Sequence, residues 1–254
     1  MFGSRILILI PHPDDEVVGC AAAIARARAK GARVFGCTLS HGCIPLNDFW
    51  PFQRGDYEKR VSFRMTEALQ SMEFLGLNEV AQNSTRAARE IWRELPTVRE
   101  EILAAMAKCA PDRIWVPAYE GGNPDHDGVN AVAATLQGVP VWEFSEYNLA
   151  GGKANSNAFI DKRGGEVVHR LNDDEKRMKK EALGIYASEK GNVSALKCEE
   201  EQFRPLATYD YSKRPHAGKL WYERFQWVPF KHPRVDYTKA EEVSASINTF
   251  LRAL

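Results

Sequence analysis

Residues 5–16, reading Arg-Ile-Leu-Ile-Leu-Ile-Pro-His-Pro-Asp-Asp-Glu, constrain the fold more than any other part of the chain. Ile6 to Ile10 is an unbroken apolar run, rich in β-branched residues and far too short to cross a membrane. Such a run is a strand buried on both faces, the condition of an interior strand in a parallel sheet. Pro11 and Pro13 end the ladder and stiffen the loop that follows. From Val17 the spacing turns helical, with Val18, Ala21, Ala22 and Ile24 on one face and Gly31 as a stop. One imidazole, His12, and three carboxylates, Asp14, Asp15 and Glu16, therefore sit at the carboxyl end of a central strand. In open α/β sheets that edge is where ligands bind.

Acidic residues ahead of a helix also serve as N-caps and complement the helix dipole, so acids alone do not make a site. The rigid Pro-His-Pro turn tips the balance, because it can aim His12 and Asp15 at one point, as a metal centre requires. Hydrolytic zinc is held by three protein ligands, often two His and a carboxylate, with one position left for water. This stretch supplies two of them.

A 254-residue chain without a composition break predicts a single α/β domain with a generous core. Lys plus Arg equals Asp plus Glu at 34 each, so overall charge gives no reason to expect a nucleic-acid or membrane surface. The five cysteines form no C-x-x-C pair. Cys20, Cys37 and Cys109 lie among apolar residues and read as small core side chains, which suits a reducing cytoplasm. The run at 6–10 leads straight into the motif and is half the length of a signal-peptide core, so it belongs to the fold.

Residues 33–40 read as a second strand, completing a right-handed βαβ unit. The loop at 41–56 carries Phe49, Trp50 and Phe52 and is a candidate wall or lid for a substrate. Helical spacing covers 57–75 and 95–109; residues 78–93 are ambiguous between strand and turn. Residues 113–118 form another buried strand, leading into a glycine-rich loop at 119–130, after which helical spacing resumes at Val129. His126 in that loop follows a parallel strand, as His12 does, so it can meet His12 and Asp15 on the same sheet edge. The set His12, Asp15 and His126 is then a two-His, one-carboxylate centre. It suits Zn2+, and Fe2+ equally. Further on, the pattern predicts a strand at 139–147, a hairpin over 158–168 about Gly164-Gly165 and a helix at 174–189. An irregular stretch from 191 and a closing amphipathic helix at 239–254 end the chain.

Pro11-His12-Pro13-Asp14-Asp15-Glu16 after an apolar strand, with Pro124-Asp125-His126 about a hundred residues later, resembles the LmbE-like (PIG-L) N-acetylglucosaminyl deacetylases. The resemblance runs to about Tyr147 and again at Tyr186-Ala187-Ser188. It implies a Rossmann-like, mostly parallel sheet flanked by helices, with a core over about 1–190 and a substrate-shaping C-terminal extension over about 191–254. The implied activity is zinc-dependent removal of an N-acetyl group from an amino sugar or its conjugate. Position by position it implies His12, Asp15 and His126 as metal ligands and Asp14 as general base, with Glu16 and Asp125 orienting them. A small-molecule substrate is implied, with no nucleic-acid partner and no membrane span; a homo-oligomer is compatible with it.

One position departs from the family pattern. The second motif usually opens with His three residues before the ligand His, and here that position is Asn123. Asn donates a hydrogen bond but delivers no proton at neutral pH. Three alternatives follow. Asp14 acts as both base and acid with Asn123 as oxyanion donor; His216 substitutes; or the site is weakened, by nature or by deliberate substitution, even to a silent sugar-binding protein. Hydrolysis of another sugar-linked amide is a further alternative. Trp50 and Tyr119 are the favoured aromatic faces for a sugar ring, and Arg54 and Arg64 the candidate contacts to a substrate phosphate or hydroxyl. A dinucleotide site is disfavoured, because the first strand leads to Pro-His-Pro and not to a glycine-rich turn.

Overall fold

The computed structural model describes residues 1–83, 85–193 and 198–254. Its centre is a seven-stranded sheet in the order β3-β2-β1-β4-β5-β9-β8. The strands are β1 (Arg5–Ile10), β2 (Arg33–Thr38), β3 (Asn78–Gln82), β4 (Arg113–Pro117), β5 (Val141–Phe144), β8 (Val167–Arg170) and β9 (Glu200–Pro205). A two-stranded ribbon, β6 (Tyr147–Asn148) and β7 (Asn155–Ser156), lies apart from it. The first five strands run parallel, and β9 and then β8 add antiparallel on the far side of β5. The helices are α1 (Asp15–Ala29), α2 (Tyr57–Leu75), α3 (Leu95–Cys109), α4 (Pro124–Ala133), α5 (Asp173–Ile185), the short α6 (Lys190–Val193) and α7 (Ala240–Arg252).

Strand β1 has no exposed side chain from Ile6 to Ile10 because helices cover both of its faces. Leu7 and Leu9 pack with α3, α4 and α7, while Ile6, Ile8 and Ile10 pack with α1, α2 and α5. This is the doubly wound arrangement that a continuous apolar strand requires. Cys20, Cys37 and Cys109 are buried in these cores, as their apolar contexts indicate.

Helix α1 is not continuous. Cys20 leaves helical geometry (φ −148°, ψ 18°), and the groups freed there are satisfied by side chains from distant elements. Ala22 N and Ala23 N each donate to the Glu201 carboxylate at 2.9 Å, so β9 caps the second half of the helix. The Val18 carbonyl, left over from the first half, accepts from Lys179 Nζ at 2.8 Å and from Asn157 Nδ2 at 2.9 Å. Lys179 also pairs with Glu201 at 2.9 Å, and both are fully enclosed.

Several elements differ from the sequence reading. Helix α4 begins at Pro124 and not at Val129, since Asn123 caps it and Pro124 occupies its first turn. His126 is therefore a first-turn helical residue and not a loop residue. The strand expected over 139–147 stops at Phe144. The hairpin expected about Gly164-Gly165 does not form: β8 pairs with β9, from the stretch expected to be irregular, and the ribbon lies earlier, between β6 and β7.

Candidate metal centre and active site

The strand order reverses between β1 and β4, each of which sends its connection to a different side. The two loops part at that point and leave a crevice at the carboxyl edge, where α/β sheets place ligands. His12 lies just beyond β1, Asp15 opens α1, and His126 sits in the first turn of α4. The chain brings all three together, buried, with a donor atom of each within 4.8 Å of the others.

The spacing of the inward atoms is informative. His12 Nδ1 lies 3.2 Å from His126 Nε2 and 3.4 Å from Asp15 Oδ2, and His126 Nε2 lies 3.2 Å from Asp15 Oδ2. Ligands about 2.0 Å from a tetrahedral zinc are separated by an edge of about 3.3 Å. The three atoms thus mark one face of such a tetrahedron and fit the ion.

Both histidines are oriented from behind. His12 Nε2–H donates to Asp125 Oδ2 at 2.8 Å, and that carboxylate also accepts from Arg89 N at 2.6 Å and Trp92 N at 3.3 Å. Asp125 is an acceptor throughout, so the proton resides on Nε2 and the Nδ1 lone pair turns inward. His126 Nδ1 faces Glu146 Oε2 at 3.5 Å. Asp15 is held by the His12 backbone N–H, which donates to its Oδ2 at 2.7 Å. The carboxylates and imidazoles of this centre also set one another's proton affinity. Burial lowers the proton affinity of His12, yet hydrogen bonds to Asp125 and Asp15 carry its pKa up to about 10. Burial would raise that of Asp15, but His126 and His12 hold it below the usual carboxylate range.

Asp14 stands beside the trio without joining it. Its backbone is left-handed (φ 115°), a costly conformation for a residue with a Cβ. Arg64 stabilises that turn: its Nη2 donates to Asp14 Oδ2 at 2.8 Å and also to the Pro13 carbonyl. Burial pushes the Asp14 carboxyl well above its usual range; Arg64 opposes this, and Asp15 and Glu189 add to it. Glu16 is fully enclosed below. It accepts from the Asp14 N–H at 3.1 Å and from Ser71 and Tyr186 hydroxyls at 2.5 Å each, tying the motif to α2 and to the end of α5. Arg64 is only 2% exposed, so its charge serves Asp14, Glu67 and Glu189 rather than the open site.

Asn123 is half-buried, with both ends of its side chain engaged. Oδ1 accepts from Asp125 N at 2.9 Å as the cap of α4, and the amide nitrogen side approaches the Tyr147 hydroxyl. Tyr147 also stacks near His126, with ring centroids 5.8 Å apart, and near Trp221, 5.2 Å away. Gly122 makes room for this, since a Cβ there would run into the Tyr147 carbonyl.

The contacts of the remaining candidates are made outside the trio. Tyr119 is 3% exposed and packed between Tyr209 and Tyr211, with its hydroxyl donating to Lys213 O at 2.8 Å. It anchors the C-terminal segment and has no open face for a sugar. Trp50 packs on Phe230 and His232, joining the 41–56 loop to that same segment. Arg54 bonds the carbonyls of Phe49 and Asn47 within its own loop. His216 Nδ1 pairs with Ala217 O at 2.7 Å, and its buried Nε2 has no partner among the described residues.

Glu146 was not singled out from sequence, although it and Tyr147 follow β5, the strand next to β4, on the same edge. Among the described residues neither buried Glu146 carboxylate oxygen has a hydrogen-bond partner, and burial followed by the charge of Asp15 pushes its pKa well up.

The family model for GlcNAc-PI de-N-acetylase, PIG-L, matches residues 7–136, just over half of the chain and all of the site from His12 to His126. The chain belongs to the PIG-L family. Among its relatives, two 1D-myo-inositol 2-acetamido-2-deoxy-alpha-D-glucopyranoside deacetylases of Corynebacterium glutamicum strains are 32% identical over 81 residues, 31% of this chain. The match spans only 28% of those relatives' length. Solved structures share the fold. A deacetylase of the teicoplanin pathway, in complex with bog, aligns with TM-score 0.63 and 19% identity over 81% of this PIG-L chain and 99% of its own. The A40926 pseudoaglycone deacetylase Dbv21 aligns with TM-score 0.60 and 18% identity over the same shares. The N,N'-diacetylchitobiose deacetylase of Pyrococcus horikoshii gives 0.55 and 14% over 79% and 83%. The Rossmann-like class expected from the sequence is the one found.

Proposed function

We propose that this PIG-L chain is a zinc-dependent N-deacetylase that removes an acetyl group from an amino sugar or its conjugate. The observation that carries the reading is the buried triangle of His12 Nδ1, Asp15 Oδ2 and His126 Nε2, with edges of 3.2–3.4 Å at the topological switch point. The relatives' descriptions, which name deacetylases of glucosamine conjugates, supply the substrate class.

Amide hydrolysis needs an activated water, a stabilised oxyanion and a proton for the departing amine. When bound to these three residues, zinc supplies a Lewis acid that acidifies water towards ~7 and polarises the amide carbonyl. Asp14, adjacent to the trio and steadied by Arg64, takes the water proton as the new C–O bond forms. Asn123 offers an N–H to the developing oxyanion, since its Oδ1 is committed to the helix cap. The C–N bond then breaks as Asp14 returns the proton to the amine nitrogen. A buried carboxyl close to Asp15 and Glu189 favours holding that proton between the two steps.

The test is metal content with acetate release from a panel of N-acetylglucosamine conjugates on zinc-loaded protein. We expect one equivalent of metal, lost with activity in His12→Ala, and activity lost with metal retained in Asp14→Asn. A protein that binds no metal refutes the centre. Metal binding with full activity in Asp14→Asn refutes the base.

A further inference from the structure

We propose that the C-terminal segment around residues 225–237 is a docking face for the surface of an anionic lipid bilayer. The overall charge of zero conceals a strong segregation. Residues 213–239 hold seven Lys or Arg against two acids, Glu223 and Asp236. The same segment exposes large aromatic side chains: Trp227 is 74% exposed, Phe230 57%, Phe225 45% and Tyr237 40%. Aromatic rings at a surface cost solvation and are expected to be covered.

These rings belong to one knot of chain. Gln226 Nε2 donates to the carbonyls of Asp236 and Thr238 at 3.0 and 2.8 Å, and the Tyr237 hydroxyl donates to Phe230 O at 2.5 Å. Trp50 stacks near Phe230, and Phe52, two residues on, is 81% exposed, so the 3-10 turn Pro51–Asp56 extends the face. Some of the cations are neutralised locally, Arg214 by Glu223 and Lys231 by Asp48. Lys219, Arg234 and Lys239 are exposed and form no ion pair among the described residues. Lys219 and Trp227 line the same open groove.

Exposed Trp and Phe in a segment that also carries the unpaired Lys219, Arg234 and Lys239 fit the headgroup–acyl boundary of a bilayer, where rings insert and cations meet anionic headgroups. A second copy of this chain is disfavoured as the occupant, because a two-fold contact would set the same cations against one another. Trp221, at the start of this segment, packs beside Tyr147, whose ring lies near His126.

The test is co-sedimentation of the full chain with vesicles of phosphatidylcholine alone and of phosphatidylcholine with phosphatidylserine. Binding is expected to the phosphatidylserine vesicles only, and to weaken with salt. It should fall about five-fold for each cation removed at Lys219→Gln and Arg234→Gln. It should be lost in Trp227→Ser/Phe230→Ser, with the circular dichroism spectrum unchanged. Absent binding to anionic vesicles overturns the proposal, as does equal binding to both compositions. So does a dimer by light scattering that Trp227→Ser/Phe230→Ser converts to monomer, or preferential capture by an RNA homopolymer that displaces the vesicles. Because the assay reads binding and not turnover, its result is independent of the deacetylase reading.

Discussion

Glu201→Gln tests the account of the broken helix. Glu201 is fully enclosed and performs three tasks: each oxygen caps one freed N–H of α1, and the charge pairs with Lys179. Gln keeps the volume but replaces one oxygen by an NH2, which faces another N–H and cannot accept from it. It also removes the negative charge that neutralises the buried Lys179 ammonium. Removing one partner of a buried pair costs about 3–5 kcal/mol, and an unsatisfied buried N–H adds about 1–3 kcal/mol. Partial relaxation trims that sum, so we expect a loss of about 4 kcal/mol by urea unfolding. For a chain of this size that is a fall of about 8–16 °C in Tm. Lys179→Met in the same background should cost less than the two single changes added, because no buried charge is then left alone. A Glu201→Gln loss under about 1 kcal/mol, or strict additivity with Lys179→Met, would show that the paired charges do not hold the break together.

Three further outcomes follow from the site and its surroundings. Glu120 is enclosed and its pKa is pushed up to about 8, first by burial. A carboxyl raised on folding contributes stability below its unfolded pKa and loses it as pH rises through about 8. Glu120→Gln should therefore flatten the pH–stability curve between about 4.5 and 8 and stabilise the protein at pH 8 by a few kcal/mol, read by urea midpoints. Arg64→Met removes the charge that opposes protonation of Asp14, so the acidic limb of kcat/KM should move to higher pH; an unmoved limb would separate Arg64 from the base. Dialysis against a chelator should lower the Tm of zinc-loaded protein, since excess ligand at 100 times its Kd contributes about 2.7 kcal/mol, and His12→Ala should abolish that response.

Much of this fold is readable from the chain because its central strands are purely apolar. β1 and β4 declare themselves by burial on both faces, and the helices at 57–75 and 95–109 by clean spacing and terminal signals. β9 is hidden for the opposite reason. Its Glu201 and Arg204 are fully enclosed, the first satisfied by Lys179 and α1, the second by Glu143 at 2.5 Å, Asp161 and Tyr209. A strand whose buried positions are charged looks like a polar loop until the partners, many residues away, are placed. The start of α4 was legible, in contrast: Asn-Pro-Asp is a cap followed by a first-turn proline, and the run of polar residues masked it. His12, Asp15 and His126 converge as their sheet edge indicates. Tyr119 sits at that edge too, but its ring turns inward to Tyr209 and Tyr211, a direction that spacing along one strand does not encode.

Asn123 joins local structure to chemistry most closely. Its Oδ1 caps the helix whose first turn carries Asp125 and His126, so one atom fixes two residues of the centre. In the proposed mechanism its amide nitrogen side, toward Tyr147, is the part that meets the reacting carbonyl. Asp caps as well as Asn but has no N–H to offer. Asn123→Asp should therefore keep the Tm within about 2 °C, a few tenths of a kcal/mol, while kcat falls about 10²–10³-fold. Asn123→Ala should lose both, with about 1 kcal/mol of stability gone along with the cap. Asn123→His offers a proton donor at the expense of the cap, and on this geometry it weakens the helix start more than it aids the leaving group. Full turnover in Asn123→Asp would show that the amide contributes only the cap, and the oxyanion donor would then have to be sought in the Tyr147 hydroxyl.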